Sequence, residues 1–136
     1  MAISEKRLLQ VAICVACLVP VFGGGVGVIF GPASITGGSL DLDQDNHFRF
    51  LSGLLLAIGL AYLSTVPDIE KQSQRFGVLT LLIVIGGFAR LLSLLLLGPP
   101  SPPLMAALGM ELVVTPLLAL WQRRLASRGT LRALSR

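Results

Sequence analysis

The sequence predicts an all-α protein, a bundle of four transmembrane helices arranged as two helical hairpins. Apolar residues make up 54% of the 136 residues and charged residues only 13%, and the mean hydropathy is +0.82. A soluble domain of this size could not bury so much apolar surface. Four apolar runs are each long enough to cross a bilayer. We therefore expect a single membrane domain over residues 1–136.

The first span is predicted at about residues 8–30. Lys6 and Arg7 precede it as in a secretory signal, but the run is longer than a signal core and lacks a small-residue cleavage site. It is therefore expected to remain as an uncleaved helix. Pro20 and Gly23-Gly24-Gly25 predict a kink or local unwinding, which a bilayer tolerates only where protein or water satisfies the freed backbone groups.

The second span is predicted at about residues 47–66, after a Gly-rich and acidic loop over 31–45. The alternating aspartates of this loop begin like a calcium loop, but Asn46 stands where glycine is needed and Ser52 where a glutamate is needed. No metal site is expected. Solvated acids are the preferred interpretation, with Asp45 or Asn46 capping the helix.

The third and fourth spans are predicted at about 75–97 and 104–121, hinged at the Pro-rich segment 98–103. Pro116 is expected to kink the fourth span. The tail 122–136 carries five arginines. Those at 124, 128 and 132 follow helical spacing with leucines interleaved, which is typical of a basic helix on anionic headgroups.

Lysine and arginine residues gather at the N-terminus, in the second loop and in the tail, which four spans place on one side. The positive-inside rule then predicts that both termini are cytoplasmic. The net charge of +4 follows from residues that flank apolar segments, so nucleic acid is not an expected partner.

Two charges inside predicted spans are the strongest functional signal. Arg90 and Glu111 each lie seven to eight residues from the Pro-rich hinge, which places both roughly 10–12 Å below the same membrane surface. Burying a lone charge at that depth costs on the order of several kcal/mol. Two opposite charges that face each other offset much of this cost. The sequence predicts a buried Arg90–Glu111 ion pair.

Other polar residues are placed by depth in the same half of the bundle as this pair. Together they could bind an anionic headgroup, a carboxylate substrate or a quinone carbonyl, or they could be a structural network that fixes helix register. No catalytic residue is assigned. The predicted ligand-binding or structural network is Asn46, His47, Arg49, Ser52, Arg90, Glu111 and Thr115.

Several stretches resemble a known family. They are Asp45-Asn46-His47-Phe48-Arg49-Phe50-Leu51-Ser52-Gly53, Pro67 with Ile69-Glu70, Gly86-Gly87-Phe88-Ala89-Arg90-Leu91-Leu92-Ser93, and Glu111-Leu112-Val113-Val114-Thr115-Pro116. They resemble the small bacterial membrane proteins of domain-of-unknown-function family 4345 and, more distantly, the DoxX-like bundles. The resemblance implies a four-helix integral protein without assigned activity. We expect a multi-pass protein of the bacterial inner (plasma) membrane.

The leading functional hypothesis is a non-enzymatic accessory or interaction subunit, or a binder of a lipid-like small molecule. Membrane lipids are the expected partners, with other membrane subunits or a second copy as alternatives. One alternative function is a small-molecule carrier with a polar cavity near Gly23–Gly27. Another is a quinone-linked thiol oxidoreductase using Cys14 and Cys17, which have redox spacing. The sequence requires no cofactor.

Overall fold

The computed structural model describes the backbone of residues 4–32 and 41–134, with side chains as far as residue 128. Within these residues the fold is helical and contains no strand. The helices are α1 (Glu5–Phe30), α2 (Leu42–Leu63), α3 (Ser73–Leu97) and a fourth, α4, built from Pro102–Gly109, a π-helical turn Met110–Val114 and Thr115–Leu134. All four are long and apolar enough to cross a membrane. The predicted all-α class, with four helices able to span a membrane, is confirmed.

Helix α1 is helical throughout Glu5–Phe30. The local unwinding predicted at Gly23–Gly25 is therefore wrong. A proline deletes one backbone hydrogen bond, but the turns on either side still form theirs. Gly24 and Gly27 are both in close contact with α2.

Helix α2 begins at Leu42, so the acidic segment after Asp41 belongs to the helix and not to a loop. The predicted caps Asp45 and Asn46 are wrong, since Asp41 is the N-cap residue and makes no side-chain cap hydrogen bond. Asp43 and Asp45 lie in the first turn, where negative charge interacts favourably with the helix dipole. The predicted loop residues 33–40 lie outside the described residues.

The chain divides into two compact units. The first unit contains residues up to Gln10 and from Pro67 onwards, and the second contains Val11–Val66. In the first unit, Gln122 is fully buried, and its Nε2 donates to the Ile69 carbonyl at 2.7 Å and to Ser73 Oγ at 2.9 Å. This glutamine ties the start of α3 and the turn before it to α4. Buried apolar side chains of this unit are Leu9, Ile69, Phe76, Leu79 and Ala119.

In the second unit α1 packs closely on α2 through glycine. A Cβ on Gly24 would lie 2.6 Å from the Leu56 amide nitrogen and 2.8 Å from the Ser52 carbonyl oxygen. Such contacts with backbone atoms cannot be relieved by a side-chain rotation. Small residues at helix contacts allow this approach in membranes, so Gly24 sets the spacing of the two helices.

The π-helical turn of α4 precedes Pro116 in the chain. Pro116 has no N–H and its ring crowds the preceding turn, and the chain responds by widening that turn. The Thr115 N–H bonds to the Met110 carbonyl, five residues back. The sequence predicts a kink at Pro116, and the structure shows the distortion as a π-turn just before it. Glu111 lies within this turn.

Candidate functional site

The structure brings Arg90 and Glu111 into contact within the first unit. Arg90 Nε donates to Glu111 Oε1 at 3.0 Å. The chain covers the two partners unequally, since 41% of the Arg90 side chain is exposed but only 17% of Glu111. The pair predicted from matched depth is therefore present, but its arginine is not fully buried by the protein itself.

Glycine permits the approach of α3 and α4 beside this pair. A Cβ on Gly87 would lie 2.7 Å from Leu112 Cδ2 and 3.0 Å from Glu111 Cβ. Its neighbour Gly86, one residue earlier in α3, has nothing within 4 Å of its Cβ position. Gly87 therefore lets the π-turn rest on α3 one turn before Arg90, which brings the carboxylate within reach of the guanidinium.

The π-turn leaves part of Glu111 without a partner. The Thr115 hydroxyl donates to the Met110 carbonyl at 2.9 Å, which also accepts the Thr115 N–H, so this hydroxyl does not serve Glu111. Glu111 Oε2 is buried and has no hydrogen-bond partner among the described residues. A buried carboxylate oxygen that lacks a donor is costly, and π-turns occur often at functional sites.

Arg90 also keeps unused hydrogen-bonding capacity. Its only hydrogen bond to the described residues comes from Nε, which leaves the N–H groups on Nη1 and Nη2 for another acceptor. The side chain lines a cleft of about 100 Å³ between α3, the Pro-rich hinge and α4. The cleft is lined by Arg90, Ser93, Leu94, Pro100, Leu104 and Leu108.

Arg49, the other arginine of the predicted network, is used differently. In the second unit its Nε donates to Asp45 Oδ2 at 2.7 Å, and its Nη1 donates to the carbonyls of Val28 at 2.6 Å and Ile29 at 3.0 Å. These are carbonyls from the last turn of α1, which have no partner inside the helix. Arg49 therefore caps α1.

Gly31, the residue that follows α1, lies next to this cap. Its φ is +66°, a left-handed conformation that glycine adopts without strain. A Cβ there would lie 2.6 Å from Asp45 Oδ1 and 2.7 Å from Arg49 Nη2. The glycine and the ion pair together close the end of α1, so the geometry gives Arg49 a structural role.

The remaining residues of the predicted network lie in the second unit. Ser52 is 8% exposed and packs against Gly27. Asn46 and His47 are exposed. The structure thus joins Arg90 to Glu111 in one unit and Arg49 to Asp45 in the other, and Thr115 bonds to its own helix. The ligand-binding role of the set stays a prediction.

Each of the two alternative functions depends on a particular segment of the chain. Cys14 and Cys17 are free thiols, of which Cys14 is exposed and Cys17 is buried. The carrier hypothesis needs a cavity near Gly23–Gly27. Gly24 and Gly27 are instead packed on α2, while Gly23 and Gly25 have nothing within 4 Å of their Cβ positions.

The predicted network omitted a set of polar contacts in the first unit. Glu5 accepts hydrogen bonds from Trp121 Nε1 at 3.3 Å and from Arg128 Nη1 at 2.6 Å. Lys6 Nζ lies 2.8 Å from Glu70 Oε1. The hydrogen bond from Lys6, with one from the backbone, lowers the pKa of Glu70 below its ordinary value. These partners are distant in sequence, so no local pattern reveals them.

The sequence match to a known family covers most of the chain, including every residue of the predicted network. The family described as "Domain of unknown function (DUF4345)" matches residues 8–122. The chain belongs to this family. No curated protein and no solved structure matches the chain. Membership in DUF4345 therefore brings no assigned activity.

Proposed function

We propose that this DUF4345 protein is a non-enzymatic integral membrane protein that binds a lipid-like small molecule at Arg90. The observation that carries the proposal is the free hydrogen-bonding capacity of the Arg90 guanidinium, together with a cleft that Arg90 lines and whose other walls are mainly apolar. Unpaired donors are costly at membrane depth. An acceptor supplied by a bound molecule would remove that cost.

The pairing with Glu111 defines the class of that acceptor. A carboxylate 3.0 Å from Nε already balances the charge of Arg90. A neutral carbonyl or ester oxygen could therefore bind the remaining N–H groups without bringing an uncompensated charge into the apolar region. Quinones and acyl esters carry such oxygens.

The size of the cleft indicates how such a molecule would lie. A volume of about 100 Å³ is below the range of about 300–1,000 Å³ that is typical of pockets enclosing a whole ligand. The cleft would hold only the polar end of an amphiphile. Leu95, Leu96 and Leu97 at the end of α3 are strongly exposed, and the apolar tail would lie against such surfaces in the bilayer.

Binding of a matched pair of amphiphiles tests the proposal. Decylbenzoquinone carries the carbonyl acceptor and decylbenzene does not. With wild-type protein in uncharged phosphatidylcholine nanodiscs, we expect the quinone to bind in preference to the hydrocarbon. The double variant Arg90→Met with Glu111→Leu removes both charges together, so its stability should stay within about 1 kcal/mol of wild type. Its affinity for the quinone should fall about tenfold or more.

Two further variants control this experiment. Arg75→Gln removes an exposed cation elsewhere on α3 and should leave quinone affinity unchanged. Glu111→Gln leaves the arginine uncompensated and should destabilise the protein in detergent. A double variant that binds the quinone as tightly as wild type, at unchanged stability, would show that the ion pair only joins helices.

A second candidate function, an accessory subunit, is favoured by one face of α3. Gly86, Ala89 and Ser93 are exposed at helical spacing, and small residues of this kind form close helix contacts in membranes. With Ala89→Cys, this function predicts disulfide or bifunctional-maleimide crosslinks to another membrane helix in native membranes. Leu81→Cys, on an exposed but bulky position, is the matched control.

A further inference from the structure

A groove at the start of α3 combines basic, amide and apolar side chains. Its volume is about 420 Å³, and it lies at the opposite end of the helix from the Arg90 cleft. Arg75 and Arg90 are separated by about 22 Å along the helix axis, so this is a different site. The lining residues are Lys71, Gln72, Gln74, Arg75, Val78 and Leu79.

The two cations of this groove are available to a ligand. Arg75 is exposed and makes no hydrogen bond or ion pair with the described residues. Lys71 Nζ lies 3.8 Å from Asp68 Oδ1, with both side chains more than half exposed, so this contact is weak. The nearby Glu70 carboxylate is held by Lys6. The acids around the groove therefore leave it with positive charge.

A third cation lies beside the same turns of α3. Arg123 Nη2 of α4 would be 3.6 Å from a Cβ on Gly77. The amide groups of Gln72 and Gln74 add neutral N–H donors in the groove. Cations with neighbouring amide donors are suited to the oxygens of a phosphate group.

The floor and the surface beyond the groove are apolar. Val78 and Leu79 line its inner end, and the exposed face of α3 continues with Leu82 and Ile85. From Arg75 to Ile85 this face extends about 15 Å, which is about half the thickness of the hydrocarbon core. A phosphate at Lys71 and Arg75 would thus have an apolar track beside it as long as one leaflet.

We propose that this groove binds an anionic glycerophospholipid, with its phosphate between Lys71 and Arg75 and one acyl chain along Val78, Leu82 and Ile85. The apolar track favours a lipid over free phosphate, because an acyl chain packs against apolar side chains and a free phosphate has no apolar part that could do so. The proposal goes beyond the function assigned to Arg90, which concerns a neutral acceptor at the other end of α3.

The test is native mass spectrometry of the full chain released from nanodiscs with equal amounts of phosphatidylglycerol and phosphatidylcholine. We expect wild type to retain phosphatidylglycerol selectively. Lys71→Gln with Arg75→Gln should retain it about tenfold or more weakly. Arg7→Gln with Arg124→Gln removes the same charge from exposed positions outside the groove. It should weaken only the general attraction of the basic tail to anionic headgroups and should retain the bound lipid as wild type does. Lys71→Arg with Arg75→Lys keeps the charge and should retain the lipid.

Further arms separate the sources of the phosphate and the two proposals. Inorganic phosphate and glycerol 3-phosphate should not displace the lipid, and displacement by either at the lipid's concentration would show a free-phosphate site. Equal losses in the groove and control variants would show general attraction of anionic lipid to positive charge and would overturn the site. The Arg90→Met/Glu111→Leu variant should keep its phosphatidylglycerol, so a failure of either proposal leaves the other standing.

Discussion

The contact between α1 and α2 and the contact between α3 and α4 are built from the same residue types, and they differ in how completely they are satisfied. Each has an arginine paired with an acid and a glycine at the point of close approach. Arg49 donates from Nε to Asp45 and from Nη1 to two carbonyls of α1. Arg90 bonds only Glu111, and one oxygen of that acid has no partner among the described residues.

The glycines show the same difference. Gly24 faces backbone atoms of α2, whereas Gly87 faces side-chain atoms of Leu112 and Glu111. The α1–α2 contact is therefore closely packed against backbone, and the α3–α4 contact keeps adjustable side chains and free donors. An arginine in an apolar helix does not by itself mark a binding site. The number of its donors that the protein leaves unused distinguishes a cap from a candidate site.

The glycine positions provide the largest expected effect. Gly24→Ala should destabilise the protein by about 1–3 kcal/mol, because backbone atoms of α2 would have to move. Gly87→Ala should cost less, about 1 kcal/mol, since the Leu112 side chain can rotate away. The free energy of unfolding in mixed micelles measures both.

Two neighbouring glycines serve as controls for those variants. Gly23 and Gly86 have open space at their Cβ positions. Alanine is also the better helix former, so Gly23→Ala and Gly86→Ala should be neutral or slightly stabilising. If Gly24→Ala were as harmless as Gly23→Ala, the α1–α2 contact would not be as close as the structure has it.

The two arginines give the next effect, and it differs in kind. Arg49→Gln should lower stability, because Asp45 loses its partner and the end of α1 loses its cap, while quinone binding at the Arg90 cleft stays as in wild type. The double variant Arg90→Met with Glu111→Leu should instead lower quinone affinity at nearly unchanged stability, because both charges are removed together. Thermal unfolding in detergent measures the stability of both variants, and the decylbenzoquinone assay measures their quinone affinity. Loss of quinone binding in a stably folded Arg49→Gln protein would contradict the assignment of Arg49 as a cap.

The smallest effect comes from the Lys6–Glu70 pair. The folded-state pKa of Glu70 lies below its ordinary value of 4.5, so the pair stabilises the fold above that pH, and the contribution is lost as pH falls through the lowered pKa. Because the two side chains are 38% and 30% exposed, we expect less than about 1 kcal/mol. Unfolding measured from neutral pH to below 4.5 should be less pH-dependent in Glu70→Gln. An unchanged pH profile in that variant would show that Glu70 contributes nothing through Lys6.

The sequence by itself determined the number of helices and one long-range contact. Hydropathy and run length specify membrane-spanning helices because the bilayer sets both. The Arg90–Glu111 contact was accessible because depth in a membrane can be counted along the chain from a hinge. The start of α2 was not accessible in this way. Acidic residues are favourable in the first turn of a helix, but in the sequence alone such a turn looks the same as an acidic loop.

Tertiary structure decided which polar residues are satisfied. Nothing in the residues around Arg49 shows that its guanidinium reaches the carbonyls of Val28 and Ile29, because those partners are defined by the packing of α1 on α2. The π-turn at Glu111 likewise depends on how the chain accommodates Pro116 against α3. Whether a hydrogen-bonding group finds a partner depends on its neighbours in space, whereas the length of an apolar run is a property of the chain. The sequence therefore predicts the spans, and the structure distinguishes a helix cap from a candidate site.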